Sequence, residues 1–354
     1  MPSIKQRDSN IELCRLVCMF YIVVFHLFIH NKDVTGGLYY TRALTAIFSI
    51  GVPVFILISG YFGIKRSVRG FLNIVLQAVF YCLLAILVCH FIFHESITTD
   101  NILSVIFPVT KTQYWFISTY LLLYILAPYL NRLLNSLSRK EFVWYLITLT
   151  ILVCYWGGIM KGPNCGNRSI LLFVFLYSIG RFIRLYYPQA ELISKYMRKP
   201  WLVYVVVMLL YFVVVSFSPL IVARGINWIV TPYNSIILIL FSILFFYSFQ
   251  AFSINKEWIN YVAKSSFAIY LIHGQNIVST HRWFYDLYSH YGTMIENVNL
   301  RLFYLFGVAI VICTVCVLID QMRIYFFKYC GIDKLIVSID EYINNKTAVF
   351  KTIE

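Results

Sequence analysis

Residues 11–29 read IELCRLVCMFYIVVFHLFI, a run long enough to cross the hydrocarbon of a bilayer as one helix. Arg15 stands near its start and His26 in its outer half. Ionisable groups inside a span are costly to bury, so they mark chemistry or a permeation path. Eleven residues separate the two, three turns plus about 20°, which puts them on one helix face about 16 Å apart. Taken singly, each has a plainer reading: Arg15 snorkels to headgroups and His26 is a hydrogen-bonded packing residue.

Working outward from this segment, composition sets the solvent. The 354 residues are 60% hydrophobic and 12% charged, with mean hydropathy +0.77, whereas soluble domains carry about 25% charged residues. The chain is therefore expected to be an all-α, polytopic membrane protein. Its apolar stretches divide into ten predicted spans at 11–30, 43–63, 71–93, 114–131, 142–159, 169–187, 200–221, 231–252, 259–278 and 302–322. No cleavable signal is expected, because the first run is long, contains Arg15 and lacks a small-residue cleavage pattern.

The net charge of +14 suggests nucleic acid until the basic residues are assigned to alternate sides of the membrane. With Arg15 counted on the amino-terminal side, that side holds 21 of the 29 Lys and Arg. By the positive-inside rule both termini are cytoplasmic and the number of spans is even. Charge thus orients the protein, and no nucleic-acid partner is expected.

Of the nine cysteines only Cys165 falls in an outer loop, so no disulfide framework is predicted. Cys313 and Cys316 form a CxxC inside an apolar span, which reads as two small core residues. His26 with His30, and His90 with His94, are spaced by four; zinc needs three or four ligands, so these read as interfacial pairs and no metal is expected. All fifteen Asp and Glu lie in loops, tails or span ends, Glu12 and Asp320 coming nearest to the membrane interior. Coupled transporters usually rely on carboxylates near the midplane. Histidine is left as the plausible intramembrane proton acceptor.

A second histidine matches the first in depth. His273 lies well into the ninth predicted span, with Ser266 and Tyr270 on its face at spacings of seven and three. This stripe reads either as part of a site or as interhelical hydrogen-bonding glue, with His273 structural or substrate-orienting. The second predicted span ends Gly51-Val-Pro53 through Ser59-Gly60-Tyr61-Phe62, followed by Lys65, Arg66 and Arg69. Pro53 and the glycines allow a kink and close helix approach. The basic cluster is either topogenic or, in Arg66-Ser-Val-Arg69, a guanidinium fork for phosphates. Arg181-Phe-Ile-Arg184 repeats that spacing, so RxxR alone is weak.

The ordered set Arg15–His26, Pro53-Val-Phe with Ser59-Gly60-Tyr61-Phe62, Arg66-Ser-Val-Arg69, Trp115-Phe116 with Pro128 and Asn131, and Ser266 through Tyr270-Leu-Ile-His273 resembles the acyltransferase family 3 of membrane O-acyltransferases. The resemblance spans nearly the whole chain. It implies a ten-helix domain, 1–322, in a bacterial cytoplasmic membrane, followed here by a short cytoplasmic tail, 323–354. It also implies transfer of an acyl group, usually acetyl, from cytoplasmic acyl-CoA to a hydroxyl of a surface carbohydrate or lipid-linked glycan. Family members often add an extracytoplasmic SGNH-type domain; with only a short tail, acceptor handling is expected in the ten-span core or through a partner.

The residues fit that implication. Arg15, Arg66 and Arg69 stand at the cytoplasmic boundary where the coenzyme A phosphates arrive, and Ser59 is grouped with Arg66 and Arg69 as donor-binding. His26, about 16 Å further out on the face of Arg15, is the expected general base with Arg15 as its catalytic companion. Acetyl-CoA enters as donor substrate, with no permanently bound cofactor. Oxyanion or substrate donors are sought among Trp115, Ser266, Tyr270 and His273; Trp115 and Tyr114 also suit an aromatic belt. Two other classes share a basic, aromatic, many-span composition: a glycan polymerase, and a polyisoprenoid-linked glycan flippase or transporter. The sequence lacks the large outer loop expected of the first, and the inverted repeats or acidic broken helices of a transporter are not evident. It leaves the oligomeric state open.

Overall fold

The computed structural model describes residues 8–30, 41–111, 114–187, 199–217, 233–274 and 283–348. Among them every regular element is helical, as hydrocarbon demands of a chain whose backbone polar groups must pair within the segment. The helices are α1 (Ser9–His30), α2 (Thr41–Ser49), α3 (Gly51–Phe62), α4 (Val68–Phe93), α5 (Thr99–Ile106), α6 (Trp115–Ser136), α7 (Arg139–Thr150), which runs on as a π-helix (Ile151–Ile159), and α8 (Ile170–Tyr186). They continue as α9 (Pro200–Phe217), α10 (Ile236–Gln250), α11 (Glu257–Ala263), α12 (Ser266–His273), α13 (Trp283–Thr293), α14 (Val298–Tyr329) and α15 (Ile332–Ala348).

Among the described residues six helical stretches are long and apolar enough to cross a membrane: Ser9–His30, Ala43–Phe62, Val68–Phe93, Trp115–Ser136, Arg139–Ile159 and Asn299–Tyr329. The second of these is interrupted at Ile50, where Pro53 lacks the N–H that would reach Ser49, so α3 begins afresh with proline in its first turn. The remaining four predicted spans correspond to shorter helices. Residues 169–187 contain α8, 200–221 contain α9 and 231–252 contain α10.

The ninth predicted span, 259–278, is broken. Lys264 and Ser265 tighten into a turn in which their N–H groups bond to Tyr261 and Val262, and the Ser265 hydroxyl accepts a hydrogen bond from Gln321 Nε2 at 2.8 Å. The resulting α12 has eight residues, about 12 Å of rise, against a hydrocarbon thickness of about 30 Å. Residues 275–278 of that span lie outside the described residues.

Helix α3, buried along most of its length, packs on α8 along a seam of small residues. A Cβ on Gly60 would stand 2.0 Å from the Tyr177 carbonyl oxygen, and one on Gly180 would stand 2.2 Å from that of Leu57. Backbone thus meets backbone from both sides, the packing that small residues permit in membranes. Helix α1 packs against α2, α3, α10, α11, α12 and α14, and so runs through the interior. Rows of exposed apolar side chains on α4, α6, α9 and α14, among them Phe91, Leu122, Leu209 and Leu318, mark faces suited to lipid.

The segment 63–67 after α3 is fastened by side chains from α6 and α8. Tyr177 Oη accepts from the Ile64 N–H at 2.9 Å and donates to Asn131 Oδ1 at 2.6 Å, and Asn131 Nδ2 donates to the Ile64 carbonyl at 3.1 Å. Tyr124 Oη accepts from the Ser67 N–H at 3.0 Å, and Ser67 Oγ caps α4 by accepting from the Gly70 N–H. This end of the bundle carries Lys65, Arg66 and Arg69 and is called the basic end below.

Candidate active site

Helices α1 and α12 bring two histidines together at the end of the bundle opposite the basic loop. The rings of His26 and His273 lie 5.0 Å apart, centroid to centroid, and His30 stands 5.9 Å from His26 on the next turn. The spacing of four that suggested an interfacial His26–His30 pair is thus part of a cluster whose third member comes from a distant helix. Among the described residues no group of three or more His, Cys, Asp or Glu side chains is arranged to hold a metal ion.

The chemistry of His273 is fixed by its own helix. Its Nδ1 bonds to the Ile269 carbonyl four residues back. A carbonyl only accepts, so Nδ1 carries the proton and, in the neutral ring, Nε2 presents the lone pair. His26 Nδ1 is buried and makes no hydrogen bond among the described residues. Burial with no carboxylate partner among the described residues favours the uncharged imidazole, the form able to accept a proton.

Aromatic side chains wall the pair. Trp115 opens α6 and stacks on Tyr233 at 5.9 Å, and Tyr233 lies 6.4 Å from Phe25, the residue before His26. The guanidinium of Arg168 sits over the Trp115 ring at 5.0 Å, its own carbonyl accepting from the Thr119 hydroxyl. Tyr270 packs on Phe116 at 5.6 Å and stands 6.4 Å from His273. Tyr114 is almost wholly buried and donates to the Leu271 carbonyl at 2.9 Å. Tyr114 is thus tied to α12, while Trp115 lies partly buried against Phe173 and Tyr233.

About 16 Å along α1 from His26, Arg15 is ion-paired with Glu12, three residues before it; Glu12 is buried while Arg15 keeps 30% of its side-chain surface. Ser59 Oγ donates to the Phe55 carbonyl at 2.9 Å and lies 3.5 Å from Tyr120 Oη, a hydroxyl within reach of the charge of Arg15. Arg66 and Arg69 stand exposed beside the first turn of α4. Asp340, from α15, accepts the Arg69 backbone N–H at 3.0 Å, so a carboxylate already occupies the N-terminus of that helix.

The structure therefore sets His273 against His26, with Tyr270 beside His273 and Trp115 reached from Phe25 through Tyr233, and it places Ser59 beside Tyr120. It does not bring Ser266 to the histidines. That residue is buried at the start of α12, seven positions and about 10 Å before His273. Sequence reasoning passed over Arg168, Tyr233 and Tyr120, and took Glu12 only as a carboxylate near the membrane interior. Arg168 was visible only as one of eight basic residues assigned by charge to the opposite side from the termini, and the two tyrosines were lost among 28.

A buried ion pair stands apart from both regions. Asp320 Oδ1 accepts from Tyr81 Oη at 2.6 Å and from Arg323 Nε at 2.7 Å, with Asp320 fully enclosed. Like Glu12 it is balanced by an arginine three residues along the same helix, the arrangement expected of a carboxylate that enters a low-dielectric interior.

No curated protein and no solved structure matches the chain at a significant level. The sequence profile described as "Acyltransferase domain", that of acyltransferase family 3, matches residues 8–320. With that match covering nearly the whole chain, and with helices long and apolar enough for several membrane crossings, this multi-pass membrane protein belongs to acyltransferase family 3.

Proposed function

We propose that the protein moves an acetyl or similar short acyl group from cytoplasmic acyl-CoA to a hydroxyl of a surface polysaccharide or lipid-linked glycan, in a bacterial cytoplasmic membrane, with both termini in the cytoplasm. The observation that carries this reading is the His26–His273 pair, walled by aromatic residues and set along α1 from the arginine patch at the basic end. The anionic nucleotide end of the donor is assigned to Arg15, Arg66 and Arg69, whose guanidiniums suit phosphate. The pantetheine arm then bridges the distance along α1 and presents the thioester to the histidines.

Neutral His26 accepts the proton of the acceptor hydroxyl as its oxygen bonds to the thioester carbon. The tetrahedral intermediate collapses with cleavage of the C–S bond, and the departing thiolate takes the proton back from His26. The acyl ester and free coenzyme A are the products, with no net change of charge on the protein. The developing oxyanion needs donors. His273 presents an accepting Nε2, so that role is assigned to the Trp115 indole N–H and the Tyr270 hydroxyl, while His273 orients His26 or the acceptor.

The test incubates membranes with labelled acetyl-CoA and a panel of host glycans, comparing wild type with His26→Ala at equal protein level. Loss of about 10²–10⁴-fold in transfer is expected for removal of a general base. Undiminished transfer in the variant would remove His26 from the mechanism, and no transfer by wild type to any glycan would count against the acceptor assignment.

A further inference from the structure

The arginine that stands over Trp115 is held firmly and given no counter-charge. Arg15 and Arg323 each pair with a carboxylate three residues away, and Lys111 pairs with Asp100, but among the described residues no carboxylate pairs with Arg168. Arg168 is exposed.

The backbone around it is fixed from several directions. Its carbonyl accepts from the Thr119 hydroxyl, one turn into α6, at 3.3 Å. The next residue, Ser169, caps α8, its hydroxyl accepting from the Leu172 N–H at 3.3 Å. The preceding segment turns through left-handed backbone at Lys161 and Asn164, with φ of 53° and 62°, a conformation that persists only where the surroundings impose it. That segment seats on the π-helix, where a Cβ on Gly157 would stand 2.0 Å from the Cys165 carbonyl oxygen. The same π-helix secures the other neighbour of the indole. Asn234 donates to the Val153 carbonyl at 3.2 Å, and Tyr233, the residue before it, stacks on Trp115.

Stacking on Trp115 engages the face of the guanidinium and leaves the N–H groups at its edge, the fork that holds an oxyanion through two bonds. As a packing device alone the arginine is poorly placed. A cation immediately before the N-cap of α8 is opposed by the helix dipole, and Thr119, Ser169 and Gly157 already fasten the loop. Its place in the bundle decides which substrate it meets. Trp115 lies 16 residues along α6 from Asn131, about 24 Å, and Asn131 binds the Ile64 carbonyl at the basic end. Arg168 is therefore remote from Arg66 and Arg69 and from the donor phosphates assigned to them. Through Trp115, Tyr233 and Phe25 it belongs instead to the wall beside His26.

We infer that Arg168 is the receptor for an oxyanion carried by the acceptor, so that the glycan modified is an acidic one. A carboxylate or phosphate group of the glycan binds the edge of the guanidinium while a hydroxyl of the same glycan reaches His26. Either group presents two oxygens to the fork of N–H donors. The inference rests on the acyl-transfer reading above.

The experiment measures transfer of labelled acetyl from acetyl-CoA to the host's surface glycan in three forms: native, with carboxylates reduced to alcohols, and with phosphates removed by hydrofluoric acid. Wild type should lose about 10–100-fold in kcat/KM on at least one stripped form, which identifies the anion, while KM for acetyl-CoA stays unchanged. Arg168→Gln should use native and stripped glycan within about twofold of each other. Each preference is a ratio within one enzyme, so a reduced amount of folded variant does not alter it. If Arg168→Gln does not fold, Arg168→Lys serves in its place: it keeps the charge but loses the fork, and its preference should fall about threefold or more. Equal use of all three forms by wild type overturns the acidic acceptor, and an undiminished preference in the variant overturns the assignment to Arg168; both leave acyl transfer standing. Transfer to none of the three forms overturns the acyl-transfer reading itself.

Discussion

The seam between α3 and α8 gives the sharpest stability prediction, and Gly60→Ala is its perturbation. A Cβ at position 60 would lie 2.0 Å from the Tyr177 carbonyl oxygen and 2.8 Å from the Tyr177 Cα. Ordinary carbon contacts begin near 3.4 Å, so the helices must separate by more than an ångström. Both obstructing atoms are backbone, so no rotamer change relieves the contact. Overpacking of this kind costs about 1–3 kcal/mol. The displacement also reaches the Tyr177 hydroxyl, which holds Ile64 and Asn131 at 2.9 and 2.6 Å; loosening those bonds adds about 1 kcal/mol. The expected total of about 2–4 kcal/mol should lower the thermal midpoint in detergent by roughly 3–5 °C. Because Tyr177 and Asn131 fasten the segment that carries Arg66, a rise in KM for acyl-CoA should accompany the loss. Thermal unfolding followed by fluorescence, together with acyl-CoA kinetics, reads both. A variant melting within a degree of wild type would show that the seam is not closed as described.

Asp340→Asn removes the carboxylate at the start of α4 and frees that terminus for donor phosphate; with charges near a helix terminus worth about 0.3–1 kcal/mol, KM for acyl-CoA should fall about 2–5-fold, and a rise would contradict the donor placement. Asp320→Asn leaves the buried Arg323 without its counter-charge and should cost about 3–5 kcal/mol in a melting experiment, whereas Asp320→Leu combined with Arg323→Leu should recover most of it. Arg168→Ala should weaken acceptor use while leaving KM for acyl-CoA unchanged, because Arg168 stands over Trp115 at the end of the bundle away from Arg66 and Arg69. A selective donor defect in steady-state kinetics would reverse that assignment.

Much of the architecture was legible because it is written locally. Hydropathy marks where a helix must cross or line a bilayer, and the six stretches long enough to cross fall at predicted spans. Gly51 and Gly60 were recognisable as close-approach positions, and a Cβ on either would collide with neighbouring backbone. The ninth segment shows the limit. Its apolar run concealed a break at Ser265, whose hydroxyl is held by Gln321, 56 residues away in the chain and invisible to any window of hydropathy.

The candidate site divides in the same way. The spacing of Arg15 and His26 on one face follows from helix geometry, and so does the shared face of Tyr270 and His273. The contact between His26 and His273, the stacking of Arg168 on Trp115, the pairing of Glu12 with Arg15 and the arrival of Asp340 at α4 belong to the tertiary structure. Lipid and protein interior are equally apolar, so a hydrophobic span does not state which of its faces meets another helix. By itself the sequence determined the solvent, the distribution of charge and the polar residues that a membrane would not tolerate without purpose. Which of those residues touch was decided by helix packing, where Gly60 and Gly180 let backbones approach and a short α12 lets His273 meet His26.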